Sequence, residues 1–562
     1  MIGFLSPSML ADALWLAVVG SPLLAAGLLA VPACRRVVTR LVPLTASPAI
    51  VVALWGDWVP PGSFDSVLLG ARFGADPAAR VFLLFTGVLW LLSGAYALGY
   101  LRDDSRRAKF FAFFLLAMGG NLGLIVAQDM ASFYALFALM TFSSYGLVLH
   151  SGTDEARRAS VVYIVMAIVG EAALFAAMVV LASAADTIVF SQVSFAMLPP
   201  ATRQLATMLA LIGLGVKVGV FGLHMWLPLA HPAAPTPASA VLSGAMIKAG
   251  VIGWMRFLPV GEVDFPGVGA LLAGLGLLSA FVAVLFGLTQ DNPKTVLAYS
   301  SVSQMGLVTV AVGLGMASRV AWPAAEVAVL LYVLHHGLAK SALFLGVGIA
   351  DAPPRSAVWR GLMRAGLVIP AAALAGLPWT SGALAKAALK GAFEPVSASG
   401  FEAVVALLPW TAVGTSALMV RFLSLVWSSR DDHHGAVASA GMAVNWGVSV
   451  LLSAVVIWFW PAWLVAPFRA KTLAAGPVWM AAWPALVGIS LAAVVGASPM
   501  LRGLFQRPLV PAGDLLYVLL RVASAAASAV AGPVSGLCRA AERARTIWGE
   551  VAGKWYFAAG GK

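Results

Sequence analysis

The chain has 562 residues, of which 61% are hydrophobic and only 10% charged, with a mean hydropathy of +0.94 and a formal net charge of +12. Soluble domains carry about 25% charged residues, so this composition excludes a soluble globular protein. The Lys and Arg excess falls mainly in short segments between apolar runs, where it orients membrane helices; it does not point to nucleic acid.

The apolar runs are roughly 18–25 residues long, enough to cross a ~30 Å hydrocarbon layer. Backbone groups in lipid must bond internally, so such runs are helices. Short alternating segments, the mark of a barrel, are not seen. Hydropathy places spans at 10–32, 41–58, 79–100, 109–127, 130–150, 160–184, 206–228, 237–258, 267–289, 294–316, 324–349, 366–392, 402–427, 440–464 and 480–499. The predicted fold is an all-α polytopic membrane protein of about 14–15 transmembrane helices. The first run is too long for a signal sequence and is followed by Arg35 and Arg36, so it is read as a retained helix.

Loop charges set the expected orientation. Arg35, Arg36 and Arg40 lie on one side, with Arg102, Arg106, Arg107, Lys109, Arg157 and Arg158. Lys294, Arg355, Arg360, Arg364, Arg430, Arg502 and Arg507 continue that pattern, whereas the opposite loops hold little beyond Arg203, Arg319, Arg469 and Lys471. The positive-inside rule then puts the N-terminus outside a bacterial inner membrane. After the last span, 501–562 mixes apolar residues at helical spacing with Arg521, Arg539, Arg543, Arg545 and Lys554. This predicts a C-terminal amphipathic helix, with a further span near 512–533 as the alternative. Cys34 and Cys538 are far apart, which argues against an iron–sulfur or zinc centre in this chain. No cofactor or metal is expected.

Ionisable residues inside apolar spans are costly and therefore functional candidates. Lys217, Lys248 and Lys340 fall well inside spans seven, eight and eleven; Lys386 and Lys390 lie in span twelve and Glu171 in span six. His224, His231, His335 and His336 sit in or beside the same spans. Desolvation penalises a charged Lys, so a series of such groups, joined by water, is suited to carrying protons. A static ion pair between helices is the alternative for any one of them. Four Lys with only Glu171 as an obvious acid on these spans weaken that alternative and favour proton carriage. Span seven runs into HMWLPLAHPAAPTP, and span twelve contains AGLPWTSGALAK. Both are predicted to be broken helices, a feature that marks ion sites in transporters.

Three stretches carry a resemblance: GLHMWLPLAHPAAPTPASAVLSGAMIKAGV at 222–251, DNPKTVLAYSSVSQMG at 291–306 and HHGLAKSALFLGVG at 335–348; LPWTSGALAK at 377–386 matches more loosely. Over roughly 80–430 the chain resembles the antiporter-like subunits of respiratory complex I, Mrp-type antiporters, membrane-bound hydrogenases and a related inorganic-carbon transporter. The resemblance implies two inverted five-helix repeats with broken helices seven and twelve. Residues 1–105 would hold helices one to three, 106–260 the first repeat, 261–430 the second, 431–500 the last two helices and 501–562 the tail. It also implies a hydrophilic axis, with Lys217 central in the first half, Lys248 on the bridge, Lys340 on helix eleven and Lys386 on broken helix twelve. One position departs. The family usually has a Glu in helix five, in a pattern like W-E-L-M; here FYALFALM places Ala138 there, so either Glu171 substitutes from span six or ion entry in that half works differently.

The expected function is proton translocation by one subunit of a larger complex coupled to electron transfer. Two alternatives are a proton conductor in a bicarbonate or CO2 pump with a zinc carbonic-anhydrase-like partner, and an Mrp-type Na+/H+ antiporter subunit. Expected partners are a redox module or a soluble zinc protein, H+ or Na+, and the lipid bilayer, with no nucleic acid. No catalytic site is expected in this chain.

Overall fold

A computed structural model describes residues 7–352, 356–396, 400–428, 438–498 and 510–513, with residues 516 and 545. The predicted tail helix therefore lies outside the described residues apart from those few positions, as do Arg355, Arg430 and Cys538.

Pro7–Leu28 (α1) is the first long helix. The second predicted span is assembled from Arg35–Leu41 (α2), a 3-10 turn at Val42–Ala46 and Ser47–Trp55 (α3). Pro43 and Pro48 lack the N–H that an unbroken helix would use. The next loop contains a short antiparallel ladder, Gly62–Phe64 (β1) and Ala71–Phe73 (β2), that hydropathy does not register. Pro77–Tyr100 (α4), Arg107–Val126 (α5), Met130–Val148 (α6) and Asp154–Ala185 (α7) follow. Asp76, Asp129 and Thr153 start three of them by accepting the N–H of Ala79, Ser132 and Ala156.

Pro200–Val218 (α8) breaks before Leu227–Ala233 (α9). Thr236–Val241 (α10) passes through a π turn at Leu242–Met246 into Lys248–Phe257 (α11). Pro266–Leu288 (α12), Pro293–Ala317 (α13) and Trp322–Ala350 (α14) are continuous. Ala357–Ala375 (α15) breaks before Ser381–Gly391 (α16), and Glu402–Ser428 (α17), Ala440–Phe459 (α18), Ala462–Leu473 (α19) and Ala475–Ala497 (α20) complete the order. Among the described residues, fourteen segments are long and apolar enough to cross a membrane. α8 misses that group because Arg203, Gln204 and Lys217 lower its hydropathy. With it, all fifteen predicted spans are present in order, and the chain is a multi-pass α-helical membrane protein.

Burial sorts the helices into a centre and a periphery. The most apolar window of α13 is 100% enclosed, and those of α10–α11 and α14 are 94% enclosed; the window of α20 is only 17% enclosed. Exposed Val165, Ile168 and Phe175 on α7 suit contact with lipid. The central three segments are the ones that carry Lys248, Lys340, His335 and His336.

Small residues let the central helices approach. A Cβ on Gly276 of α12 would lie 2.5 Å from the carbonyl oxygen of Gly306 on α13, and one on Gly269 would lie 2.5 Å from that of Gly313. This is the close crossing that glycines permit in membranes. Gly276→Val is expected to cost about 1–3 kcal/mol by overpacking, seen as a lower unfolding midpoint in detergent. An unchanged midpoint would show that the crossing opens freely.

Candidate functional site

Both broken helices end in the same way. α8 stops at Gly219, whose φ of 79° is left-handed, and the N–H groups of Gly219 and Val220 both reach Gly215 O, at 2.9 and 3.2 Å. α15 stops at Gly376, φ 80°, where Gly376 and Leu377 both donate to Ala372 O, at 3.0 and 3.1 Å. Glycine takes this conformation without steric cost and closes the helix end. Each break exposes further carbonyls. Trp226 Nε1 donates to Val216 O at 2.8 Å. Lys386 Nζ reaches back to Ala375 O at 2.6 Å and Leu374 O at 3.3 Å. Lys386 therefore sits at the negative end of the α15 dipole, which favours a cation.

Lys217, in the last turn of α8, faces a small cavity bounded by α6, α7, α8 and Trp226. Its Nζ donates to Tyr163 OH at 3.1 Å and to Thr141 Oγ1 at 3.3 Å; Tyr163 OH donates to Thr141 O at 2.9 Å. The rings of Tyr163, Phe137 and Trp226 surround the amine at 5.5, 5.9 and 5.9 Å. Aromatic faces attract a desolvated cation. Glu171 lines the same cavity from α7, buried, with no hydrogen-bond partner for either carboxylate oxygen among the described residues. α7 and α8 close the cavity at Gly170 and Gly213, where a Cβ on Gly213 would lie 2.8 Å from Gly170 O. The space, about 10 Å³, is close to what one water's centre needs.

A second group occupies the enclosed centre. Lys248, the first residue of α11 just after the π turn, donates to Ser243 O within the turn, and Ser243 Oγ pairs with Ser301 Oγ at 2.8 Å. π turns commonly mark functional positions. The same segment touches α14 where a Cβ on Gly337 would lie 2.9 Å from Gly244 O. That crossing puts Lys248 beside His336, which lies within electrostatic range of Lys248, Lys340 and His335. Neither ring nitrogen of His336 has a hydrogen-bond partner among the described residues. Lys340 Nζ donates to Leu297 O at 2.7 Å. His335 Nδ1 pairs with Ser381 Oγ at 2.7 Å at the start of α16, and its ring is in range of Lys386 and Lys248. His231, its ring tilted against Phe344 at 4.9 Å, is in range of Lys340, Lys294 and Lys248.

The structure thus brings Lys386, His335, Lys248, His336, Lys340 and His231 into one series, and Glu171 with Lys217 into one cavity. The two groups meet where α11 crosses α8: a Cβ on Gly250 would lie 2.7 Å from Leu214 O and 3.0 Å from Val218 N. His224 lies in the α8–α9 break, stacked on Phe221 at 5.5 Å. Lys390, one turn beyond Lys386, is exposed and stands apart from the series. Sequence reasoning missed Thr141, Tyr163, Ser243, Ser301 and Ser381, ordinary helix residues with no local signal. It also assigned Lys294 to loop charge alone. Lys294 instead donates to Ala234 O at 3.0 Å, at the end of α9, in range of Asp351.

Residues 127–406 match the family model described as NADH:quinone oxidoreductase/Mrp antiporter, TM. That range holds every residue of both groups. Hydrogenase-4 component B of Escherichia coli (strain K12) is 30% identical over 307 residues, covering 53% of this chain and 45% of that protein. The chain therefore spans less than half the length of this relative. A Hydrogenase-4 component F homolog of Methylacidiphilum infernorum (isolate V4) is 31% identical over 351 residues, 57% of this chain and 70% of that protein. The fold is similar to a chain of the Mrp complex from Dietzia sp. DQ12-45-1b, with TM-score 0.73, 24% identity and coverage of 99% of this chain and 63% of that one. The family match and the extended identity to the component F homolog show that this chain belongs to the antiporter-like membrane subunits of the NADH:quinone oxidoreductase/Mrp antiporter family.

Proposed function

We propose that the chain is a proton-translocating subunit of a multisubunit energy-coupled complex, and that protons move along Glu171–Lys217, Lys248, His335, His336, Lys340, His231 and Lys386. The observation that carries this reading is the enclosed series on α11 and α14. Ionisable groups kept from lipid at the centre of a membrane bundle are expensive unless used. Glu171 and Lys217 interact within the first group, and in the second His335 lies in range of Lys386 and Lys248, His336 of Lys248, Lys340 and His335, and His231 of Lys340 and Lys248, so a proton gained at one alters its neighbours. The matched break geometries at Gly219 and Gly376 support the division into inverted repeats at 106–260 and 261–430. The positive-inside pattern supports an N-terminus outside the inner membrane.

Coupling to electron transfer is the favoured form, because two of the relatives described are named as hydrogenase-4 components. Inside-out vesicles holding the native complex should acidify internally when the partner's reaction is driven, with or without Na+. Lys248→Ala is expected to reduce that signal about ten-fold or more, equivalent to about 1.4 kcal/mol or more on the barrier. Wild-type acidification in this variant would remove the central group from the pathway. The co-purifying partner decides the coupling: a cysteine-rich redox subunit is expected, and a soluble zinc protein in its place overturns the electron-transfer assignment.

A further inference from the structure

The axis needs a way out to water, and the cavity at Lys217 is too small to provide one. A second cavity, of about 350 Å³, lies where the start of α4, the end of α11 and the start of α14 meet. It is lined by Asp76, Arg256, Trp322, Glu326, Leu330 and Trp463. This volume has room for several waters. The two Trp rings suit the boundary between lipid and water.

Its charges are unbalanced. Arg256 Nη1 pairs with Asp76 Oδ2 at 2.6 Å, with side-chain exposures of 16% and 36%. Nη1 is engaged by Asp76, while Nη2 is buried with no hydrogen-bond partner among the described residues. Glu326 is half-buried and has no hydrogen-bond partner among the described residues. It faces the fields of Asp76 and Arg256. A purely structural ion pair would be packed against protein. This one borders open space that also holds a second carboxylate, Glu326, with no ion pair of its own among the described residues.

The cavity also shares its two walls with the buried series. Arg256 lies eight residues from Lys248 on α11, about 12 Å along the helix, and Glu326 lies ten residues from His336 on α14, about 15 Å. Leu330, one turn inward from Glu326, also lines the space. The cavity therefore reaches into the bundle towards His336.

We propose that this cavity is the aqueous mouth of the proton axis on the face where α4 begins. Glu326 exchanges protons between water and the buried series, and the Asp76–Arg256 pair holds the mouth open. This rests on the proton-conducting reading above.

The test uses the native complex in proteoliposomes, with Cys34 and Cys538 replaced by Ser. Ala78 also lines the cavity. Ala78→Cys should be labelled by a bulky, membrane-impermeant methanethiosulfonate reagent. Labelling should cut proton flux about five-fold and dithiothreitol should restore it, a reversible block at a site that touches no buried Lys. Glu326→Gln should lower flux about ten-fold with normal assembly, and Glu326→Asp should retain much of it. Lys340→Ala is measured alongside. If Lys340→Ala stops flux but fully labelled Ala78→Cys conducts normally, the mouth is wrong and the axis stands. Failure of the reagent to label Ala78→Cys also overturns the mouth, because the cavity is then closed to water. If Lys340→Ala conducts normally, the axis itself fails. Should Glu326→Gln not assemble, the reversible Ala78→Cys block decides alone.

Discussion

Lys217→Ala should abolish proton-coupled activity while the complex still assembles, and Lys217→Arg should fail almost as completely. The second outcome is the informative one. The Lys217 amine is held by two hydroxyls and three aromatic faces, with Glu171 in the same cavity. Arg keeps the positive charge and the aromatic contacts, so it would preserve a static partner for Glu171. It stays protonated at all accessible pH, so it cannot hand a proton on. Restored flux in Lys217→Arg would convert this site into a structural ion pair. Glu171→Gln tests the other partner. Its oxygens have no hydrogen-bond partner among the described residues, so Gln leaves the packing intact while removing the acid. Flux should fall about ten-fold. Wild-type flux would mean that Ala138 has no substitute in this half and that Lys217 is loaded by another route.

This cavity also marks the limit of what the residues disclose on their own. The breaks at Gly219 and Gly376 are legible because Gly and Pro act locally, on the backbone that contains them. So are the spans, whose length answers to the bilayer. The acid opposite Lys217 could be anticipated because Glu171 is conspicuous in an apolar helix. Its other partners could not. Thr141 and Tyr163 reach Lys217 from 76 and 54 residues away, through packing that depends on Gly170 meeting Gly213. The π turn before Lys248 coincides with the close approach of Gly244 to Gly337, and nothing in LSGAM announces it. Lys390 fails in the opposite sense. It shares a helix with Lys386 and looks equivalent by spacing, but α16 ends at Gly391 and leaves it exposed.

Lys386 should show the second large effect, for a reason that separates two roles of one side chain. Its amine closes the end of α15 by donating to Leu374 O and Ala375 O. Without it those carbonyls are orphaned, at about 1–3 kcal/mol for each buried group left unsatisfied. Lys386→Ala should therefore lower both the unfolding midpoint and the flux. Lys386→Arg can still donate to the two carbonyls and still favours the negative helix end, so the midpoint should largely recover. Flux should not, since the guanidinium does not release its proton. Gly376→Ala probes the cap from the other side. Its Cβ would lie 2.7 Å from Lys386 Nζ in a left-handed residue at φ 80°. That strain should displace the amine and lower flux and midpoint together. If instead Lys386→Arg conducts like wild type, Lys386 is a helix cap only. The proton path must then leave the series at His335, whose ring faces Ser381 at the head of the same broken helix.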